Sequence, residues 1–123
     1  MVNPLSAIAY FHLAEIYEAQ GDIEKAKEDF EKSADINPDD YIPLNPLGII
    51  YSQNGMQDEA LKYLKKALKL KPDSVEVNFN VGYAYYLSYR YGEALRMLER
   101  VVQLDPNYKN AKYLISQIKG QGK

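Results

Sequence analysis

The chain has 123 residues, a formal net charge of −2 at pH 7, one histidine and no cysteine. These values exclude disulfides and thiolate catalysis or thiolate metal sites, and they argue against nucleic acid as a main partner, since phosphate binding needs clustered excess cations. No apolar run approaches the ~18 residues of a membrane span, so no direct membrane insertion is expected; the opening MVNPLSAIAYF lacks the features of a signal peptide, which makes a cytoplasmic location the default.

Taken in order, Asn3-Pro4 reads as an N-cap followed by a first-turn proline, so the first helix begins about there. Tyr10, Leu13, Ala14 and Tyr17 recur at helical spacing. The turn Gln20-Gly21-Asp22 follows, and a second helical run carries Ile23, Ala26 and Phe30 before Pro38 stops it. The pattern then starts again. Pro43 and Pro46 fall where the next helix should begin, and a proline inside a helix costs roughly 3 kcal/mol. The wording Asn45-Pro46-Leu47 repeats Asn3-Pro4-Leu5, which predicts that Asn45 caps a shortened helix and that residues 39–44 run extended. In the third copy Asn78 stands where the first has Tyr10, and Tyr89 replaces Gly21 and Gly55, so a turn of different conformation is expected there. In residues 109–119, Ala111, Leu114, Ile115 and Ile118 line one helix face, while Lys109, Lys112, Ser116 and Lys119 line the other; this predicts a capping helix ended by Gly120.

Pro38, Pro72 and Pro106 are 34 residues apart, and Ala26, Ala60 and Ala94, as well as Tyr17, Tyr51 and Tyr85, keep the same spacing. Gapless repetition means that each copy, over residues 7–40, 41–74 and 75–108, is a helical hairpin that must stack on its neighbours to bury its apolar face. Ala14, Gly48 and Gly82 in the first helix and Ala26, Ala60 and Ala94 in the second are small where the backbones approach, and Phe30, Leu64 and Leu98 fill the wider parts.

These residues carry a resemblance. Leu13, Ala14, Tyr17, Ala26, Phe30 and Pro38, with Leu47, Gly48, Tyr51, Ala60, Leu64 and Pro72, and Val81, Gly82, Tyr85, Ala94, Leu98 and Pro106, resemble the tetratricopeptide repeat signature over residues 7–108. The resemblance implies an all-α fold, a right-handed α-solenoid of antiparallel helix pairs with three repeats and a C-terminal capping helix, in one domain spanning residues 1–123. It also implies a non-catalytic protein–protein interaction module whose first helices line a concave groove for a peptide segment. Carried over by position, that groove presents Ile8, Phe11, Glu15 and Glu18, then Asn45, Ile49 and Ser52, then Glu76, Phe79, Tyr83 and Tyr86.

Spacing supports the last group independently. Phe79, Tyr83 and Tyr86 stand at i, i+4 and i+7, a stripe distinct from Val81, Gly82 and Tyr85. Five tyrosines fall between Tyr83 and Tyr91, and the repeat demands only Tyr85. The surplus suits a binding surface, where tyrosine joins apolar area to a polar tip. The alternative is that Tyr83 and Tyr86 pack against the capping helix, near Tyr113.

Some family members grip a chaperone C-terminal carboxylate with a basic, asparagine-containing clamp. Here Phe11 and Glu15 stand at its first-repeat lysine and asparagine positions and Glu76 at a third-repeat lysine position, so the resemblance does not extend to carboxylate recognition. An apolar protein or peptide segment bearing basic residues fits better, with Glu15, Glu18 or Glu76 meeting the charges. No cofactor, metal or catalytic residue is expected: His12 has no second histidine or cysteine beside it, and the glycines form no phosphate loop. Charge is unevenly spread. The first repeat holds ten acidic and three basic residues, the second is +2, the third −1 and the tail after Tyr108 +4. This leaves open a self-assembling scaffold, a homo-oligomer joined through its acidic and basic ends or by insertion of residues 2–5 into a neighbouring groove.

Overall fold

Apolar residues at the helical period fold into α-helices throughout residues 4–121, the part of the chain that this computed structural model describes. In order they are α1 Pro4–Ala19, α2 Ile23–Ile36, α3 Leu44–Gln53, α4 Gln57–Leu70, α5 Val75–Leu87, α6 Tyr91–Leu104 and α7 Lys109–Gln121. No strand occurs among the described residues. Each odd helix packs on the even helix that follows, the pairs stack through α2 on α3 and α4 on α5, and α7 closes on α6. The architecture is the all-α helical-repeat solenoid implied by the 34-residue period.

One continuous core runs along the stack. Phe30, Leu47, Ile50, Leu64, Val77, Val81, Leu98 and Val101 are buried, and Ala111, Leu114 and Ile118 of α7 extend the same cluster. The small residues permit close helix packing in a specific way. A Cβ on Gly48 would meet Cγ and Cδ2 of Leu64, and one on Gly82 would come within 3.1 Å of Leu98. Leucine therefore occupies the space that glycine leaves, while Ala14, Ala26, Ala60 and Ala94 are fully buried in the same seams.

The turns inside the pairs share one geometry. Gly21 and Gly55 have φ of 83° and 79°, and Tyr89 has φ of 62°. In all three, the residue after the left-handed position bonds back to the carbonyl of the repeat tyrosine: Asp22 to Tyr17, Met56 to Tyr51 and Arg90 to Tyr85. The expected departure at Tyr89 does not occur. The paired helices fix where the chain must reverse, and the tyrosine accepts a left-handed backbone rather than changing the turn.

Three further expectations are corrected. α3 is short, but Asn45 does not cap it: the helix starts at Leu44 after Pro43, and Asn45 lies buried in its first turn. Residues 39–44 are also not extended. Asp40 accepts a hydrogen bond from the amide of Ile42 at 3.0 Å, and the amide of Leu44 bonds the carbonyl of Tyr41 at 3.0 Å, so the segment turns tightly. Gly120 is helical and α7 ends at Gln121. Glycine tolerates helical φ as well as the left-handed region, and Gly120 takes the helical one. The capping role expected of Asn3 lies outside the described residues.

Two buried polar side chains, Ser33 and Asn78, tie elements together. The Ser33 hydroxyl donates to the carbonyl of Ala7 at 2.8 Å and ties α2 to α1. The Asn78 amide is fully buried and donates to the carbonyls of Pro72 and Ser74 at 2.9 and 2.8 Å, holding the loop between the second and third pairs.

Candidate functional site

The odd helices supply the inner-face residues, and their side chains divide into two clefts and an aromatic ladder. The first cleft, of about 380 Å³, is lined by Ile49, Ser52, Asn80 and Tyr83 together with Gln57 and Leu87. Its polar wall is held by the Ser52 hydroxyl donating to Gln57 at 2.8 Å and the Gln57 amide donating to the Ser52 carbonyl at 2.9 Å. The second, of about 280 Å³, joins Phe11, Glu15 and Glu18 of α1 to Asn45 and Pro46 of α3, Glu76 of α5, and Tyr41 and Ile42 of the preceding turn. Ile8 is exposed on the α1 side of a neighbouring hollow that also contains Phe11 and Ile42.

The ladder starts at Tyr108, just before α7. Its ring centroid lies 5.0 Å from that of Phe79, which stacks on Tyr83 at 5.9 Å, and Tyr83 stacks on Tyr86 at 6.3 Å. Tyr86 meets Tyr91 at 5.8 Å, and Tyr91 meets Tyr89 at 6.3 Å. Six rings thus lie in series. The 3.6-residue period places Phe79, Tyr83 and Tyr86 one above another, and two neighbouring elements prolong the row. Tyr113 joins none of these ring contacts and is 62% exposed, so Tyr83 and Tyr86 are not packed on it. Tyr83 is 41% exposed, whereas Phe79 and Tyr86 are half-buried.

Among the residues expected to form the groove, the structure therefore brings Phe11, Glu15, Glu18, Asn45 and Glu76 to one cleft and Ile49, Ser52 and Tyr83 to another. Phe79 and Tyr86 belong to the ladder. Tyr41 and Ile42 line these clefts as well and were not anticipated, because a fixed position-by-position transfer passes over the irregular turn before α3; Pro46 of α3, Gln57 of α4 and Asn80 of α5 also line them and stood outside the transferred positions. The signal for Tyr41 and Ile42 was available in the proline pair, which shortens α3 and frees these residues from a helix.

Local electrostatics follow from packing. Burial, with Glu76 and Asp105 nearby, raises the Tyr108 phenol above its ordinary value. His12 Nδ1 is 3.1 Å from Glu15 Oε1, and both side chains are exposed. No group of three potential ligands among the described residues could hold a metal ion, and no described helix is long and apolar enough to cross a membrane.

Known proteins share this architecture. The first repeat domain of Spaghetti (RPAP3), bound to the HSP90 peptide SRMEEVD, superimposes with a TM-score of 0.91 at 21% identity, covering 98% of this chain and 95% of that one. The second such domain of human RPAP3, in complex with the HSP70 peptide SGPTIEEVD, gives 0.88 at 22% identity, covering 95% of this chain and 98% of the other. The Arabidopsis OM64 repeat domain gives 0.90 at 16% identity over 98% of this chain and 99% of that one. No curated protein sequence gave a match. Two family profiles described as tetratricopeptide repeat match residues 5–73 and 51–118. With its 34-residue period, its stacked antiparallel pairs and these matches over nearly its whole length, the chain belongs to the tetratricopeptide repeat family.

Proposed function

We propose that the protein is a non-catalytic interaction module, folded as one unit, that binds an extended peptide segment along its inner face. The carrying observation is the aromatic ladder beside two clefts: stacked rings hold each other in place, so Tyr83 offers area to a partner at little cost in side-chain entropy. Peptide-bound relatives of the same fold support this reading. Their peptides end in EEVD, and that acidic chemistry does not suit Glu15, Glu18 and Glu76, which line one cleft here. An apolar segment with basic residues fits. Three anchors at about 2 kcal/mol each do no more than offset an association cost of roughly 4 to 15 kcal/mol, so a micromolar complex, at about −8 kcal/mol net, draws the rest from the remainder of the segment.

The test is selection of peptides from a random displayed library, with affinities measured by fluorescence anisotropy. Selected peptides should bind in the micromolar range and lose most of that affinity to Tyr83→Ser. Peptides that bind the Tyr83→Ser protein equally well would overturn the groove assignment.

A second reading is self-association, favoured by one observation: Ile8, Leu13 and Ile16 of α1 are 53%, 39% and 53% exposed. Light scattering across protein concentration, at low and high salt, tests it. A monomer throughout removes it.

A further inference from the structure

The second cleft has an electrostatic character that the ladder lacks. It is lined by three carboxylates, Glu15, Glu18 and Glu76, by no cationic residue, and by the aromatic rings of Phe11, Phe30 and Tyr41. Among the described residues Glu18 and Glu76 take part in no ion pair, whereas Glu15 is shared with His12. Asn45, from the first turn of α3, also lines the cleft. It is only 6% exposed, and its Oδ1 finds no hydrogen-bond donor among the described residues. A buried acceptor left without a donor is costly, and such groups in native folds call for an explanation.

We propose that this cleft is a subsite for an arginine side chain of the bound segment. The proposal rests on the groove reading above and gives the ligand a charge and a place. Glu18 of α1, Asn45 of α3 and Glu76 of α5 line it together, the two carboxylates exposed and the amide buried in its wall. A planar guanidinium with five donors can meet acceptors on several sides while its faces lie against rings, and it is more weakly hydrated than an ammonium, so it enters an aromatic-walled cleft more readily. Lys71 Nζ stands 5.4 Å from the Tyr41 ring centroid, so one face of that ring already meets a cation, as its electron-rich surface permits. The ligand then has a polarity. Its arginine lies toward the first pair and its apolar anchors toward the ladder of the third, which separates this groove from one that reads an acidic terminus.

The probe is Nα-acetyl-arginine amide, titrated into the 15N-labelled full chain and followed by NMR. Saturable shifts are expected at the Asn45 side-chain amide and at the backbone amides of Phe11, Glu18 and Glu76. The Glu18→Gln, Glu76→Gln double variant, altered only at exposed side chains, should keep its fold and weaken this binding by roughly tenfold. The Tyr83→Ser protein should bind the probe as well as the parent. No saturable shift, a response undiminished in the double variant, or an equal response to Nα-acetyl-lysine amide would overturn the arginine assignment. The two readings fail separately. Tyr83-dependent library peptides without any arginine-amide response would sink the subsite alone, and an arginine-amide response without any selectable peptide would sink the groove alone.

Discussion

The hydroxyl of Tyr51, in the second helix pair, donates to a carboxylate oxygen of Glu31 in the first at 2.9 Å, across 20 residues of sequence. The same ring stacks on Tyr63 at 5.6 Å, with Lys27 Nζ 5.3 Å from its centroid. A signature tyrosine thus also bolts neighbouring repeats together. Burial first, and then the bond to Glu31, push its phenol well above the ordinary value, and Tyr63 is raised for related reasons.

The sign of the resulting pH dependence follows. A phenol whose folded pKa is raised contributes stability that is complete below the unfolded value of about 10 and is lost as pH rises through the folded one. Stability should therefore fall above about pH 10, where the unfolded chain ionises first. Chemical denaturation across alkaline pH should show a shallower fall in Tyr51→Phe, which should also lose about 1 kcal/mol at neutral pH. An alkaline fall as steep as that of the parent would contradict this.

The helical glycines should respond oppositely to alanine. Gly48→Ala drives a methyl group into Leu64 and is expected to cost about 2 kcal/mol net of the gain in helix propensity. Gly92 is exposed in the first turn of α6, with open space where a Cβ would stand, so Gly92→Ala should stabilise by about 0.5 kcal/mol. Urea midpoints of the two variants should move in opposite directions.

Tyr89 keeps a left-handed backbone at a cost of roughly 1 to 2 kcal/mol, and its ring is 80% exposed. Tyr89→Gly should raise the thermal midpoint, because relief of the backbone outweighs the loss of one edge contact with Tyr91. The converse change, Gly55→Ala, should lower it by about 1 kcal/mol of stability.

Within the ladder, exposure separates binding from folding. Tyr83→Ser loses two ring stacks and should lower stability by only about 1 kcal/mol while weakening a selected peptide by about tenfold or more, whereas the more buried Phe79, changed to serine, should damage folding far more. Circular dichroism with anisotropy on the same preparations separates the two effects.

The helix pairs, their turns and the face of α7 that meets the core could be read from the sequence because each depends on local periodicity, which three aligned copies state three times. The start of α3 could not. Asn45-Pro46-Leu47 matches Asn3-Pro4-Leu5 in wording, yet the helix starts after a turn of residues 40–44 whose Tyr41 and Ile42 share a cleft with Phe11 of the first pair, a tertiary matter. Tyr89 failed the sequence argument for the same reason: local strain was judged without the packing that overrides it. In the site, the Phe79–Tyr83–Tyr86 stripe followed from spacing within one helix. The cleft shared by Phe11, Asn45 and Glu76 needed the stacking of three.

α3 enters its repeat three residues later than α5 enters its own, and the place of the missing turn is taken by Tyr41, Ile42 and Pro43. Two of these, with Pro46, form a wall of the acid-lined cleft. The hollow is thus carved by subtraction: two prolines shorten one inner helix by about a turn and leave room beside Phe11. A chain built on near-identical modules gains an individual hollow here by breaking its own rhythm once, while Pro43 and Leu44 at the break stay buried in the core.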